Sequence, residues 1–274
     1  MKKNVFIKLA ACAIMTLAGF GAHAQDALAR VKAAGVLKVG TETAFAPFDF
    51  IKDGEHSGMN KEMFAAIAKE MNVKLEWVLL PWEGVFPGLE AGKFDVVAGP
   101  ATITKERLLR FRFSPPIAEA TVALLKRKGD ASITKNADIA GKAVGAGKGT
   151  AQLAQLKSFG DTLPSKVDAR EYPGFNEAYA DLAAGRIVAA ANSITNITYV
   201  AQQRPESFEV VTPAFGAKSY FGYIWRKDAD SDKLVAALNA AILKMKADGR
   251  MAAIQKKWFG NSFDMPNEVT QANF

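Results

Sequence analysis

Thr102, Thr104 and Arg107 lie close together in the segment DVVAGPATITKER (95–107) and could form an anion-binding site. A hydroxyl and a guanidinium a few residues apart suit a carboxylate, because the hydroxyl donates one hydrogen bond and the planar guanidinium can donate two in parallel. The alternative is that Arg107 is a solvated residue in the first turn of a helix. The segment alone leaves both interpretations open.

The same segment predicts a strand, a tight turn and the start of a helix. Residues 94–98 are apolar apart from one acid, a pattern typical of a mostly buried strand. Gly99 and Pro100 are expected to end this strand, because proline has no amide hydrogen to donate to a neighbouring strand. Thr102 or Thr104 can then cap a helix, whose free backbone amides would strengthen the binding of an anion.

The chain before this segment predicts an alternation of strands and helices. Strands at 36–40 and 73–79 alternate with helices at 59–71 and 81–89. This order is typical of a parallel sheet covered by helices, in which ligands bind beyond the carboxyl ends of the strands. Phe45, Trp82 and Arg107 each follow a predicted strand, so we expect them to face one site.

A second unit of the same kind begins near residue 143. A strand at 143–146 is followed by Gly147-Lys148-Gly149-Thr150 and a helix from Ala151. The eight-residue spacing of a phosphate-binding loop is absent, so the glycines predict only a second helix start with free amides. A later strand at 187–191 ends at Asn192 and Ser193. Two such units in succession predict two lobes.

The first 24 residues predict an export signal. They combine the basic start Met1-Lys2-Lys3, an apolar run over 5–20 and the small-residue cleavage site Ala22-His23-Ala24. We therefore expect cleavage after Ala24 and a periplasmic protein. A membrane anchor and a lipoprotein modified at Cys12 are the weaker alternatives.

The composition of the mature chain excludes several functional classes. The predicted signal contains the only cysteine, Cys12, and one of the two histidines. Neither a disulfide, a Cys/His zinc cluster nor a cysteine nucleophile is then available, and we expect no metal or cofactor. Basic residues are only modestly in excess and are spread along the chain, which argues against nucleic-acid binding. No remaining apolar run is long enough to span a membrane.

These motifs together resemble the polar-amino-acid family of periplasmic solute-binding proteins, the receptors of ABC importers. The matching segments cover essentially the whole mature chain. They are TETAFAPF (41–48), GMNKEM (58–63), PWEGVFPGL (81–89), GKFDV (92–96), TITKER (102–107), FS (113–114), GKAVG (141–145), GT (149–150) and AAGRI (183–187).

The resemblance implies a fold of the α/β class with two lobes, the periplasmic-binding-protein or Venus flytrap fold. Each lobe would be a mostly parallel sheet covered by helices, and two hinge crossings would lie near 118–121 and 217–221. The implied boundaries are 25–118 together with 219–274 for the first lobe and 119–218 for the second. The implied function is to trap an amino acid or a related small carboxylate between the lobes and deliver it to an inner-membrane permease.

The resemblance also implies roles for individual residues. Arg107 would bind the carboxylate of the ligand, with help from Thr102 and from the helix start at Thr150 and Ala151. Pro100 stands in the same segment, where serines are common in the family, and belongs to the expected site.

Two aromatic residues and one acid match further positions of the family's site. Phe45 and Trp82 match positions that enclose the body of the ligand. Their alternative role is core packing, although aromatic residues on loops beyond strand ends have no obvious core to join. Glu42 matches a position that reaches the side chain of basic ligands, and a solvated loop acid is the equal alternative.

One departure from the family's pattern concerns Ser193. The family normally has an acid at this position, which pairs with the α-ammonium of the ligand. A desolvated ammonium without a counter-charge is costly. Either Glu42 or another acid replaces the missing charge, or the ligand lacks a free α-ammonium.

The leading hypothesis is a monomeric binding protein without enzymatic activity. The alternative is a dehydratase-like enzyme on the same scaffold, acting on a small carboxylic acid, which would need a general acid or base in the cleft. The candidates are Glu42, Glu119 and Glu171, and they form no recognisable catalytic arrangement. A sensory domain is the third possibility, but no signalling module follows the last predicted helix.

Overall fold

Residues 26–274 are described by a computed structural model, and the predicted signal peptide (1–24) lies outside them. The elements up to the first crossing are α1 (Ala27–Ala34), β1 (Val36–Thr41), β2 (Ala44–Phe45), β3 (Asp49–Lys52), β4 (Glu55–Ser57), α2 (Met59–Met71), β5 (Lys74–Leu79), α3 (Trp82–Glu90), β6 (Val96–Thr102), α4 (Lys105–Arg110), β7 (Phe111–Phe113) and β8 (Ala118–Glu119).

The middle of the chain forms a second set of elements. They are β9 (Val122–Arg127), a 3₁₀ turn (Asn136–Ile139), β10 (Ala143–Gly147), α5 (Ala151–Gly160), β11 (Asp168–Tyr172), α6 (Phe175–Ala183), β12 (Ala189–Ser193), α7 (Ile194–Gln203) and β13 (Phe208–Val211). The chain then returns through β14 (Tyr220–Arg226), α8 (Asp232–Ala247) and α9 (Arg250–Phe259).

Two large sheets define two lobes, and β2, β3 and β4 form a small third sheet in the first lobe. The sheet of the first lobe has the order β5-β1-β6-β14-β7, with β8 also paired to β14, and the sheet of the second lobe has the order β11-β10-β12-β9-β13. In each large sheet the first three strands are parallel. In the first sheet β14 pairs antiparallel with β6 and with β7, and in the second β9 pairs antiparallel with β12 and with β13. The predicted α/β fold with two lobes is confirmed, and each sheet is mixed.

The two connections between the lobes lie side by side. The chain leaves the first sheet after β8 and rejoins it at β14, and these two strands pair with each other, Glu119 opposite Tyr220 and Ala118 opposite Phe221. The pairing places both connections at the predicted hinge positions.

The lobes also share apolar contacts. One buried cluster contains Phe45 and Phe48 of the first lobe together with Phe175 and Tyr179 of α6 in the second lobe. The ring centres of Phe45 and Phe175 are 5.5 Å apart. The arrangement described is therefore one in which the lobes are closed on each other.

Strand β6 corrects one prediction about the site. It runs through Gly99 and Pro100 to Thr102, so the predicted strand end at Gly99-Pro100 is wrong. Opposite β14 its register shifts, so that residues 98–100 face the single residue Tyr223. A bulge of this kind removes the need for an amide donor at each position, which is how a strand accommodates a proline.

Threonines cap the two helices that begin at the cleft; the cap at Thr104 is one of the two alternatives that the sequence predicts, and at Thr150 the sequence predicts only a helix start. Thr104 caps α4 by accepting a hydrogen bond from the amide of Arg107 (3.2 Å), and Thr150 caps α5 by accepting one from the amide of Leu153 (3.2 Å). Both caps are local, because a threonine side chain satisfies an amide three residues ahead. Within 26–274, no helix has the length and apolar character needed to cross a membrane.

Candidate functional site

Several cavities are lined by both lobes, and two of them, the acidic and the arginine compartment, contain the groups that could bind the opposite ends of a ligand. The acidic compartment has a volume of about 400 Å³ and is lined by Glu42, Trp82, Pro173, Gly174 and Glu177, among others. The arginine compartment has a volume of about 320 Å³, and its lining includes Arg107, Gly149, Thr150, Ala151 and Lys157. Each compartment is lined by both lobes, so its shape depends on how far the lobes close.

The side chain of Arg107 lies against two aromatic rings. Its guanidinium carbon is 4.9 Å from the centre of the Phe86 ring and 5.6 Å from that of Trp82. One guanidinium nitrogen, Nη1, donates a hydrogen bond to the carbonyl of Thr102 (3.1 Å). The rings and the carbonyl hold the guanidinium in place while leaving most of its donors uncommitted.

Arg107 has no ion-pair partner among the residues that the structure describes. Burial lowers its pKa to about 10, because the charged form is stabilised less away from water. Arg107 is half-buried, and a partly desolvated cation without a counter-charge is a site that an anion can complete. The candidate anion is the carboxylate of a ligand, as the sequence predicts.

The start of α5 faces the same compartment from the other lobe. Thr150 donates a hydrogen bond to the carbonyl of Gly147 (2.6 Å), and Ala151 is buried at the first position of the helix. The structure thus brings Arg107, Thr150 and Ala151 together. Thr102 lies beside them and contributes its carbonyl oxygen, while its side chain is buried in β6.

Glu42 lies on the acidic side of the cleft, directly after β1. It is 7% exposed, and its carboxylate forms no hydrogen bond or ion pair with any residue in 26–274. Burial raises its pKa to about 8, and the nearby Asp49 carboxylate adds to the shift. A buried carboxylate that faces a cavity without a partner suits the cationic group of a ligand.

A buried polar network supports the loop that carries Glu42. Asp49 accepts hydrogen bonds from Asn60 (2.5 Å) and pairs with His56 (2.8 Å), while Tyr223 donates one to Asn60 (2.8 Å). Burial raises the pKa of Asp49, and its hydrogen bonds to His56 and Asn60 oppose that shift. No local pattern in the sequence indicates this network, although His56 is the only histidine outside the predicted signal.

Trp82 stands between the two compartments. It is 7% exposed, and its indole nitrogen donates a 3.3 Å hydrogen bond to the carbonyl of Gly149 in the other lobe. One side of the residue contributes to the acidic compartment, and its ring also contacts Arg107. Closure of the lobes therefore fixes this indole between the two charged groups of the cleft.

The model of the bacterial extracellular solute-binding proteins, family 3, matches residues 37–261. The chain belongs to this family. That match includes both lobes, both connections between them and every candidate site residue.

Several proteins are similar to this family 3 protein over nearly their whole length. The L-cystine-binding protein TcyJ of Escherichia coli is 32% identical over 238 residues, 86% of this chain and 87% of the relative. The L-arginine-binding protein of Pseudomonas aeruginosa is 27% identical over 271 residues, 97% of this chain and 98% of the relative. The ancestral amino acid-binding protein AncCDT-1, described as a precursor of cyclohexadienyl dehydratase, superposes with a TM-score of 0.77 at 30% identity, covering 85% of this chain and 99% of that one.

Phe45 of this family 3 protein does have a core to join, contrary to the sequence argument. Its ring is 5.8 Å from Phe48, 5.5 Å from Phe175 and 5.6 Å from Phe221, and it is 4% exposed. Phe45 is placed between the lobes but not in the lining of either compartment. Pro100 is likewise buried within β6.

Ser193 lies in a neutral polar cluster at the end of β12. Its hydroxyl contacts the side chains of Asn196 and Thr195, the latter at 3.2 Å. Asn196 in turn donates a 2.7 Å hydrogen bond to the carbonyl of Ala46 in the first lobe. The family 3 protein therefore satisfies this position with uncharged groups from its own chain.

Proposed function

We propose that this protein is the periplasmic receptor of an amino-acid ABC importer and that its ligand is an amino acid with a cationic side chain. The observation that carries the ligand class is the pair of unpartnered ionisable groups, the half-buried Arg107 on one side of Trp82 and the buried Glu42, which a cation would ionise, on the other. A ligand with a carboxylate at one end and a cation at the other completes both.

The energetics favour such a ligand. Hydrogen bonds to charged groups contribute roughly 1.5–3 kcal/mol each, so a few of them account for much of a micromolar affinity of about 8 kcal/mol. The acidic compartment holds a second carboxylate, Glu177, on the opposite lobe. The P. aeruginosa relative is named for binding L-arginine, which supports the assignment.

The remaining site residues take supporting roles in this proposal. Trp82 contacts the body of the ligand and Phe45 supports the cleft from the core between the lobes, while the carboxylate is bound by Arg107 together with the Thr102 segment and the start of α5 at Thr150 and Ala151. Pro100 lies in the bulge before Thr102, and Ser193 lies buried in its neutral cluster, where it offers the ligand no charge. Glu42 then supplies the only acid that this set of residues offers to the ligand.

The organisation of the protein follows from the same proposal. The lobes comprise 25–118 with 219–274 and 119–218, and they close on the ligand as a monomer. The signal is cleaved after Ala24, and the closed form delivers its ligand to the permease. These boundaries fit the two connections between the sheets.

A dehydratase-like activity is the second candidate, because AncCDT-1 is similar in structure and Glu42 keeps its proton near neutral pH. The other two candidate acids are engaged elsewhere: Glu171 pairs with Lys157 (2.7 Å) on the surface, and Glu119 accepts a hydrogen bond from Thr121 (2.7 Å) at the hinge. Of the two acids that line the acidic compartment, Glu42 is buried and Glu177 is exposed. One buried acid without a partner base supports binding rather than catalysis, and we propose that the protein is not an enzyme.

The deciding experiment is isothermal titration of the mature protein, from Gln25, with L-arginine, L-lysine and L-citrulline. Citrulline has nearly the shape of arginine but no side-chain charge. We expect the two cations to bind and to raise the melting temperature, citrulline to bind at least tenfold more weakly, and Arg107→Ala to abolish binding. If citrulline bound as tightly as arginine, Glu42 would have no role in binding a side-chain cation. Binding only of acids without an amine would overturn the amino-acid assignment, and turnover of any of them would favour the enzyme.

A further inference from the structure

Two neighbouring contacts join the lobes at the rim of the cleft. Glu83 and Lys148 form an ion pair in which Oε1 and Nζ are 2.9 Å apart. The adjacent residues, Trp82 and Gly149, form the 3.3 Å hydrogen bond described above. Two consecutive residues at the start of α3 thus bind two consecutive residues in the loop before α5.

This ion pair is unlike the others in the part of the chain that the structure describes. Every other ion pair there joins two residues of the same lobe, whereas Glu83 and Lys148 belong to different lobes. Its geometry therefore exists only when the lobes are closed. Opening separates the two charges.

We propose that Glu83 and Lys148 are positioning residues that form a latch: their ion pair holds Trp82 against Gly149 and keeps the lobes closed in part of the population even without a ligand. Only the expected effect of the latch on ligand retention depends on the proposed function. The closure itself does not require a ligand of any particular class.

The loop that carries Lys148 is well suited to this task. The amide of Lys148 donates a 2.8 Å hydrogen bond to the carbonyl of Tyr172, which anchors the loop to the second sheet. Gly149 has φ +70°, a left-handed conformation that favours glycine, and this turn presents its carbonyl to the indole. The loop therefore moves with the second lobe as one piece.

The latch acts on the site through Trp82. The indole lies 5.6 Å from the guanidinium of Arg107, so its position affects the group that is proposed to bind the carboxylate. Loss of the ion pair is expected to leave Arg107 in place in its own lobe but to let the opposite lobe swing away. The association rate should then change little, and the dissociation rate should rise.

The size of the effect follows from exposure. The side chains of Lys148 and Glu83 are 57% and 49% exposed, so water and salt screen the pair. Exposed ion pairs of this kind shift equilibria by about two- to fivefold. Glu171 is the other acid near Lys148, and it is paired with Lys157, so it does not replace Glu83.

The test measures lobe separation in the ligand-free protein. The chain from Gln25 has no cysteine, so Leu109→Cys and Ser158→Cys, both at exposed positions on opposite lobes, can carry a pair of fluorophores or spin labels. On this labelled background we would compare Lys148→Gln, Glu83→Gln, the double variant and the exchanged pair Glu83→Lys with Lys148→Glu. Lys244→Gln, which removes an ion pair within the first lobe (2.7 Å to Glu70), is the matched control.

We expect both single variants to lower the closed fraction by about two- to fivefold, the double variant to lower it no further, and the exchanged pair to restore it. Raising the salt concentration should open the wild type and leave Lys148→Gln unchanged, and Lys244→Gln should behave as wild type. An unliganded wild type that is entirely open at low salt, or an exchanged pair that restores nothing, would overturn the latch. The lobe-separation measurements are made without ligand, so they test the latch alone. Failure of L-arginine to bind would instead overturn the proposed ligand class.

Discussion

The side-chain amide of Asn196 donates a 2.7 Å hydrogen bond to the main-chain carbonyl of Ala46 in the opposite lobe. Asn196 also contacts the hydroxyl of Ser193, so one neutral side chain joins the lobes beside the position where an acid was expected. The two lobes are thus tied at separate points, here and at the rim of the cleft. Each of these contacts can be removed without touching Arg107 or Glu42.

Asn196→Ala is expected to weaken ligand binding by about two- to tenfold, because a neutral hydrogen bond of about 0.5–1.5 kcal/mol is lost only from the closed form. The measurement is titration of the variant and of Asn136→Ala with the same ligand. Asn136 donates an equivalent 2.7 Å bond to Pro213, but within one lobe. Equal losses of affinity in the two variants would show that Asn196 does not act through closure.

Ser193→Asp tests whether the ligand carries a free α-ammonium. A carboxylate at this buried position should lower the melting temperature of the ligand-free protein, because the neutral cluster gives it no counter-charge. If an ammonium is present beside it, binding of L-amino acids should improve at least tenfold relative to acids without the amine, since a charged hydrogen bond contributes about 1.5–3 kcal/mol. If the variant preferred L-amino acids over acids without the amine no more than the wild type does, the ammonium would not lie beside residue 193. Ser193→Asn is the uncharged control.

Glu42→Gln should change how stability depends on pH. Folding raises the pKa of Glu42 from 4.5 to about 8, so between these values the native chain holds a proton that the unfolded chain has released. The free energy of unfolding of the wild type therefore falls as the pH rises from about 5 to about 8, and the variant should lose this contribution. Urea denaturation at both pH values measures the difference. Burial raises the pKa of Asp49 in the same direction, so part of the slope should remain.

The same carboxyl group should couple binding to proton release. A cationic ligand needs the ionised form of Glu42, so its affinity should rise with pH up to about 8. Titration calorimetry in buffers of different ionisation enthalpy counts the released protons. Glu42→Gln should bind more weakly and release fewer protons. Proton release that survives in the variant would assign it to another group.

Trp82→Phe should distinguish the contribution of the indole hydrogen bond to ligand binding from that of the aromatic ring. Phenylalanine keeps an aromatic face for Arg107 but has no donor for the carbonyl of Gly149. We expect the ligand to dissociate two- to tenfold faster, because one hydrogen bond of about 0.5–1.5 kcal/mol is lost. The association rate should change little. Stopped-flow fluorescence gives both rates. Trp82→Ala, which removes the ring as well, should lose more affinity than the phenylalanine variant.

Tyr223→Phe should destabilise the protein although it lies away from the cavities. It leaves the buried Oδ1 of Asn60 without its 2.8 Å donor, at a cost of about 1–3 kcal/mol in the free energy of unfolding. Tyr220→Phe, on the same strand, removes a hydroxyl from a partly exposed ring and is the control. A loss in the control as large as that in Tyr223→Phe would contradict the role of the network.

The features that the sequence predicts well are local. The helix starts at Thr104 and Thr150 depend on a side chain and an amide three residues ahead, and both were predictable from capping. The order of strands and helices likewise indicates two α/β lobes. Strand β6 was predicted to end too early, because the bulge that accommodates Pro100 is created by its partner β14, far away in the chain.

The site depends on contacts that no local pattern reveals. Asn60 and Tyr223 are 163 positions apart, and the burial of Glu42 follows from the packing of both lobes. Phe45 shows the same limit, since its core is formed partly by Phe175 of the other lobe. The residue types at the site could be predicted, whereas their partners required the structure.

The position of β14 in the first sheet has a consequence for biosynthesis. It is a central strand, between β6 and β7, and its residues Tyr223 and Trp225 are fully buried. Yet it is the last strand to be synthesised, so the first lobe has a gap at its centre until most of the chain has left the ribosome. The first lobe therefore completes its core only after the whole of the second lobe has been synthesised.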